Sequence, residues 1–122
     1  GFIGKMFGVF KKHLPPAPAG VASPMEWGSE AVVRERLKEG FGDVRLTRRM
    51  AVMRFPFSPA ETVEFFRKYY GPTFRAFESL AAPAQDALRR DLVELQTRHN
   101  TAQDASKTEV AAEYLEVIAT KR

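Results

Sequence analysis

Cysteine is absent from the 122 residues, and three kinds of chemistry go with it. A disulfide framework, a thiol nucleophile and a Cys-ligated zinc site are excluded, and nothing favours secretion, so a cytoplasmic setting is expected. Only two histidines occur, His13 and His99, and neither has an i,i+4 partner. Both are expected to be solvated rather than to serve as base or metal ligand. No run approaches the roughly 18 apolar residues that span a bilayer. The pairs Gly4, Gly8 and Gly40, Gly42 are wrongly spaced for a G-x-G-x-x-G or phosphate loop, and no G-x-S-x-G elbow is present. Glu61 belongs to a helix cap, and Glu113 and Glu116 fall on opposite faces of a strand, so no carboxylate pair is poised for acid–base work. No catalytic, cofactor-binding or metal-ligating residue is therefore assigned.

A strong charge excess is lacking too. Nineteen Lys and Arg against fifteen Asp and Glu give a net charge of +4, milder than the dense basic stripe of proteins that live on phosphate backbones. The positive charge gathers in residues 1–54, where Arg45, Arg48 and Arg49 would carry any binding of nucleic acid. With 44% hydrophobic and 28% charged residues the chain belongs to the ordinary globular class rather than the disordered one. Its length suits one module.

Phe2, Ile3, Met6, Phe7 and Phe10 recur at helical spacing among lysines and predict an amphipathic helix over residues 1–12, buried against the rest of the fold. Its lysines lie within and after the apolar stretch, which is wrong for a signal peptide. Residues 13–28 read as a Pro-rich linker with Pro15, Pro16, Pro18 and Pro24. Within it Lys12-His13-Leu14-Pro15-Pro16-Ala17-Pro18 matches, by letter, a pattern that aromatic grooves recognise.

Residues 29–122 read as helix, strand, three helices, strand. Ser29 caps a helix to about Glu39, which Gly40 and Gly42 end. Val44–Phe57 is a long strand, Arg-rich at first and apolar on both faces beyond residue 50, which predicts cover on two sides there. Ser58-Pro59-Ala60-Glu61 is a capping box with proline at the first helical position. Helices then carry Val63, Phe66 and Tyr70, next Phe74, Phe77 and Leu80, and from Pro83 to His99 Leu88, Leu92 and Leu95. Ala112–Thr120 is the second strand.

The fold class is thus α+β, with two long strands and about five helices. Two strands make no stable sheet in water. They are expected to pair with strands of another chain, or with a sheet lying before Gly1. The aromatic run Phe65-Phe66-Arg67-Lys68-Tyr69-Tyr70-Gly71-Pro72-Thr73-Phe74 supplies core, and its exposed members could wall a pocket or stack bases.

In order, the chain shows a Phe2-Ile3-Gly4 helix, the stretch Ser23-Pro24-x-x-Trp27-Gly28, and the Arg-rich strand. Phe65-Phe66-Arg67-x-Tyr69-Tyr70-Gly71-Pro72-Thr73 and Glu113-Tyr114-Leu115-Glu116-Val117 follow. This pattern resembles the C-terminal half of class I S-adenosylmethionine-dependent methyltransferases of the small-molecule type common in actinobacteria. The likeness runs from Gly1 to Arg122, and its most specific stretches are Glu64 to Thr73 and Glu113 to Ala119. It implies the C-terminal part of a seven-stranded α/β sheet, with residues 44–57 and 112–120 antiparallel as its sixth and seventh strands and the helices as a substrate lid.

On that resemblance Trp27, Tyr69, Tyr70 and Phe74 are expected to wall the pocket for a small-molecule acceptor. The family's Gly-rich cofactor loop and its acidic residue are missing. S-adenosylmethionine is therefore expected for the full-length family and not for this chain, which alone would be inactive. The implied partner is a missing N-terminal cofactor domain or a second copy in a homodimer; nucleic acid and membrane rank last. The alternative reading is a stand-alone, non-enzymatic module of that fold for dimerisation or small-ligand binding.

Overall fold

In the computed structural model, which describes residues 1–122, five α-helices and two strands follow one another. They are α1 (Phe2–His13), α2 (Glu30–Leu37), β1 (Phe41–Phe55), α3 (Pro59–Tyr69), α4 (Gly71–Glu78), α5 (Ala82–His99) and β2 (Thr108–Lys121), with a short 3-10 helix at Pro24–Gly28. The two strands pair with each other in a two-stranded sheet. The start of β1 meets the end of β2, where Arg122 N–H donates to Gly40 O, so the pair is antiparallel. A larger, seven-stranded sheet is thus not what this chain builds. Each strand finds its first neighbour within this chain, across more than fifty residues, and each keeps a second edge.

Strand ends differ from the expected ones for local reasons. β1 begins at Phe41 because Gly40, at φ +86, turns the chain directly out of the α2 region. It stops at Phe55 because Pro56 has no N–H for the ladder. β2 starts at Thr108, four residues before the expected Ala112. Asn100 Oδ1 accepts from Glu109 N–H (2.8 Å), and Thr101 N–H donates to Glu109 O (2.8 Å), holding that residue extended.

Packing divides the chain into two units. One comprises Gly1–Pro16 and Val52–Ala112, the other Ala17–Ala51 and Glu113–Arg122. In the first, α1 buries Phe2, Met6, Val9 and Phe10 and lies against α5, which buries Leu88, Leu92 and Leu95. Each of these side chains contributes about 1.5–3 kcal/mol when fully withdrawn from water. α3 packs on both α4 and α5 through Val63 and Phe66, with Ala76 and Phe77 from α4. Val110, Ala112 and half-buried Met53 and Phe55 close the core. Met50 and Val52 remain exposed, at 61% and 44%, so the expected cover on both faces of β1 is absent.

The start of α3 is fixed as its sequence requires. Ser58 Oγ accepts from Glu61 N–H, and the Glu61 carboxylate accepts from Ser58 N–H (2.9 Å). Those bonds, the backbone one first, hold the Glu61 carboxyl below its usual range. Thr62 and Thr108, both fully buried, join α3 to β2: Thr62 donates to Thr108 Oγ1 (3.1 Å), which donates to Phe57 O (2.8 Å). Two other buried polar atoms, Thr73 Oγ1 and Gln96 Oε1, have no partner, and both residues line a small internal cavity of about 10 Å³.

Neither histidine is merely solvated. His13 Nε2 lies 2.7 Å from Asp91 Oδ2, joining the end of α1 to α5. Leu14 beside it packs on the core, which takes the leucine out of the Pro-rich motif. His99 sets its ring edge-on to Phe2, centroids 5.8 Å apart. Burial, then the charges of Lys5 and Arg98, lower its pKa from the ordinary 6.5. The unfolded chain therefore takes up the His99 proton at higher pH than the folded one, and folding favours the neutral ring. That contribution is complete above pH 6.5 and is lost as pH falls from there through the folded value. Urea midpoints should fall on acidification through this window, and His99→Gln should flatten the slope. An unchanged slope in the variant would remove His99 as its source.

Candidate functional site

The second unit is poor in core. Val33 on α2 is its one fully buried apolar side chain, helped by half-buried Leu37, Val44, Leu46, Leu115 and Ala119. The alternation Val44, Leu46 against exposed Arg45, Thr47 covers one face of β1 there. Ser29 Oγ accepts from Val32 N–H at the cap of α2. Trp27, 52% exposed, lies under the Arg36 guanidinium at 4.7 Å, and Arg36 also pairs with Glu26.

Arg48 and Arg49, adjacent in sequence, point to opposite faces of the ribbon, and each meets a glutamate of β2. Arg48 Nη1 donates to Glu113 Oε1 (3.3 Å) and Nη2 to Gly28 O (3.1 Å), with Glu30 at 3.7 Å. Arg49 Nε donates to Glu116 Oε2 (2.8 Å). Arg45 stands 3.8 Å from Asp43. Exposed pairs of this kind add little stability. Their consequence is electrostatic: the arginines considered for nucleic acid are all matched by acids.

What the ribbon leaves uncovered is apolar. Met50, Tyr114, Val117 and Ile118 are 61%, 48%, 36% and 46% exposed. Each strand is paired on one side only, so both outer edges carry unpaired backbone N–H and C=O groups.

In the first unit a groove of about 390 Å³ is lined by Glu64, Arg67, Lys68, Phe74, Phe77, Glu78 and Gln85. Arg67 stacks over Phe77 at 4.3 Å and donates to Gln85 Oε1 (3.0 Å). Gln85 Nε2 donates to Phe77 O (2.7 Å) and Leu80 O (3.0 Å), satisfying carbonyls at the end of α4. Glu64 is shared by Arg89 (2.6 Å) and Arg67 (4.0 Å). The lining holds no serine, cysteine or histidine, and no three His, Asp or Glu side chains converge anywhere as a metal site. An exposed apolar ring beside fixed charge can hold a small molecule; it has no nucleophile–base pair.

Of the residues expected to wall a pocket, Phe74 lines this groove. Tyr69 and Tyr70 sit at the same α3–α4 corner but outside the lining, Tyr69 64% exposed against Phe65 (5.0 Å) and Tyr70 edge-on to Phe66 (5.4 Å). Trp27 belongs to the other unit. Gln85 was missed: its role follows from where α4 ends, which no motif announces. Arg67 stood in the aromatic run, but only the fold shows its stacking partner.

Comparison with known proteins gives distant relatives. An uncharacterised protein of Mycobacterium tuberculosis is 36% identical over 83 residues, covering 66% of this chain and 30% of that protein. One from Mycobacterium bovis matches with the same figures. Another uncharacterised Mycobacterium tuberculosis protein is 32% identical over 125 aligned positions, covering 100% of this chain and 43% of its own length. The chain therefore spans less than half the length of these curated relatives. No family model matches it, and no solved structure does.

These findings, with the two-stranded sheet, overturn the methyltransferase resemblance. The order of segments was similar, but the sheet that would carry a cofactor site is not here, and no known methyltransferase structure matches. The substrate-side role and the S-adenosylmethionine expectation are withdrawn with it. No helix is long and apolar enough to cross a membrane.

Proposed function

We propose that this chain is a non-enzymatic association module, whose ribbon in the second unit pairs with a second copy of itself. The observation that carries the reading is a sheet of only two strands, 15 and 14 residues long, with the outer edge of β2 open beyond Glu109 and Met50, Tyr114, Val117 and Ile118 exposed. A two-stranded ribbon is marginal in water, and a long edge with apolar side chains is a template for further pairing. Because these relatives are more than twice as long, the activity of the whole protein is a separate matter. A cytoplasmic setting goes with this reading, on the strength of a cysteine-free composition.

Sedimentation equilibrium at micromolar concentration should give twice the 13.8 kDa of the chain. Ile118→Glu, at a side chain 46% exposed, should leave the circular dichroism unchanged and weaken the dimer on the order of tenfold, by placing charge on the joining surface. A folded monomer in the unaltered chain would refute the proposal.

A further inference from the structure

We infer that the two copies join along the outer edge of β2, antiparallel about a two-fold axis at Val117, in the strand order β1–β2–β2–β1. This rests on the association reading above and adds the edge and the register.

The edge follows from Glu109. Its N–H and C=O point away from β1 and are taken up by Asn100 and Thr101. Backbone groups alternate along an antiparallel strand, so Ala111, Glu113, Leu115, Val117, Ala119 and Lys121 also present theirs outward. Beyond Glu109 no loop or side chain takes them. β1 is less open: Arg34 of α2 reaches Val44 O (3.2 Å). A β1–β2 junction between copies is heterologous and leaves an edge free at each end, so it grows without closing.

Charge selects the register. With the axis at Val117, Glu113 of one copy stands opposite Lys121 of the other, once on each side of the axis. Lys121 has no ion-pair partner within its own chain. Leu115 stands opposite Ala119, the two Ile118 side chains become diagonal neighbours, and the two Glu116 carboxylates, diagonal as well, are each held by Arg49 of their own chain (2.8 Å). An axis at Glu116 would set that carboxylate against itself. An axis at Leu115 would bring Lys121 to Glu109, where residues 100 and 101 already fill the edge. An axis at Ala119 would set Lys121 opposite Val117 and leave it without an acidic partner.

Because the chain has no cysteine, single-cysteine variants report this geometry directly. Val117→Cys puts two thiols at a directly opposed pair, with Cα atoms about 5.5 Å apart and within disulfide reach. Thr120→Cys puts them six residues apart along the pair, about 20 Å. Under mild oxidation the first should form a covalent dimer and the second should not. In a chain otherwise unaltered, Lys121→Glu should raise the dimer dissociation constant about tenfold by opposing two glutamates. If light scattering shows dimers but Val117→Cys fails to cross-link, or Lys121→Glu has no effect, this register is wrong and the association reading stands. If the unaltered chain is monomeric, both fall.

Discussion

Phe77→Ala should lower the stability of the first unit by about 3–5 kcal/mol, the cost of emptying a large aromatic site in a packed core. Phe77 is 2% exposed and is the largest of the fully buried side chains. Its ring also carries the Arg67 guanidinium at 4.3 Å, so truncation removes that stack together with the apolar burial. The Gln85 bond to the Phe77 carbonyl survives, because it is made to the backbone. The loss therefore reports the ring and not an unravelled α4. Phe74, three residues earlier on the same helix, is 46% exposed and supplies the control. Phe74→Ala should cost about 1 kcal/mol or less, as surface changes do. Urea unfolding of both variants measures the difference in midpoint at constant m-value. Equal losses would mean that α4 does not face the core through Phe77.

What could be read from the sequence was local in its physics. Ser58, Pro59 and Glu61 satisfy backbone groups within four residues, so their letters announced the start of α3, and the structure makes both bonds. The helical spacing of Phe2, Met6 and Phe10 likewise gave a face that the structure buries. Long-range partners were hidden. His13 finds Asp91 78 residues away, and β1 finds β2 across three helices. Arg48 and Arg49 looked like a basic stretch until the strand bearing Glu113 and Glu116 lay beside them.

The same limit explains the misreading of the fold. A sequence of helix, linker, strand, helices and strand fixes the order of elements but not the neighbours of each strand, and many architectures share such an order. Among the candidate site residues, Tyr69, Tyr70 and Phe74 were contiguous enough to share a corner. Trp27 joins them only through the family resemblance; in the fold it lies in the other unit, under Arg36.

Thr108→Val should cost about 1–3 kcal/mol, and Thr62→Val distinctly less, although both hydroxyls are fully buried and bond each other. The asymmetry comes from the direction of the bonds. Thr108 Oγ1 accepts from Thr62 and donates to Phe57 O, so its loss orphans a donor and an acceptor together. Losing the Thr62 hydroxyl removes one donor and leaves the Thr108–Phe57 bond in place. In the Thr108→Val background the Thr62 hydroxyl is unpaired, apart from any bond it can make back to its own helix at Ser58 O. Adding Thr62→Val there should be neutral or should restore stability. The double variant is therefore expected to lose less than the sum of the single losses, with a coupling of about 0.5–3 kcal/mol. Strictly additive losses in a urea-unfolding cycle would show that the two hydroxyls act independently. Since this bond chain ties the first turn of α3 to the first residue of β2, such a result would leave the burial of Val110 and Ala112 as what holds the start of the ribbon to the helical core.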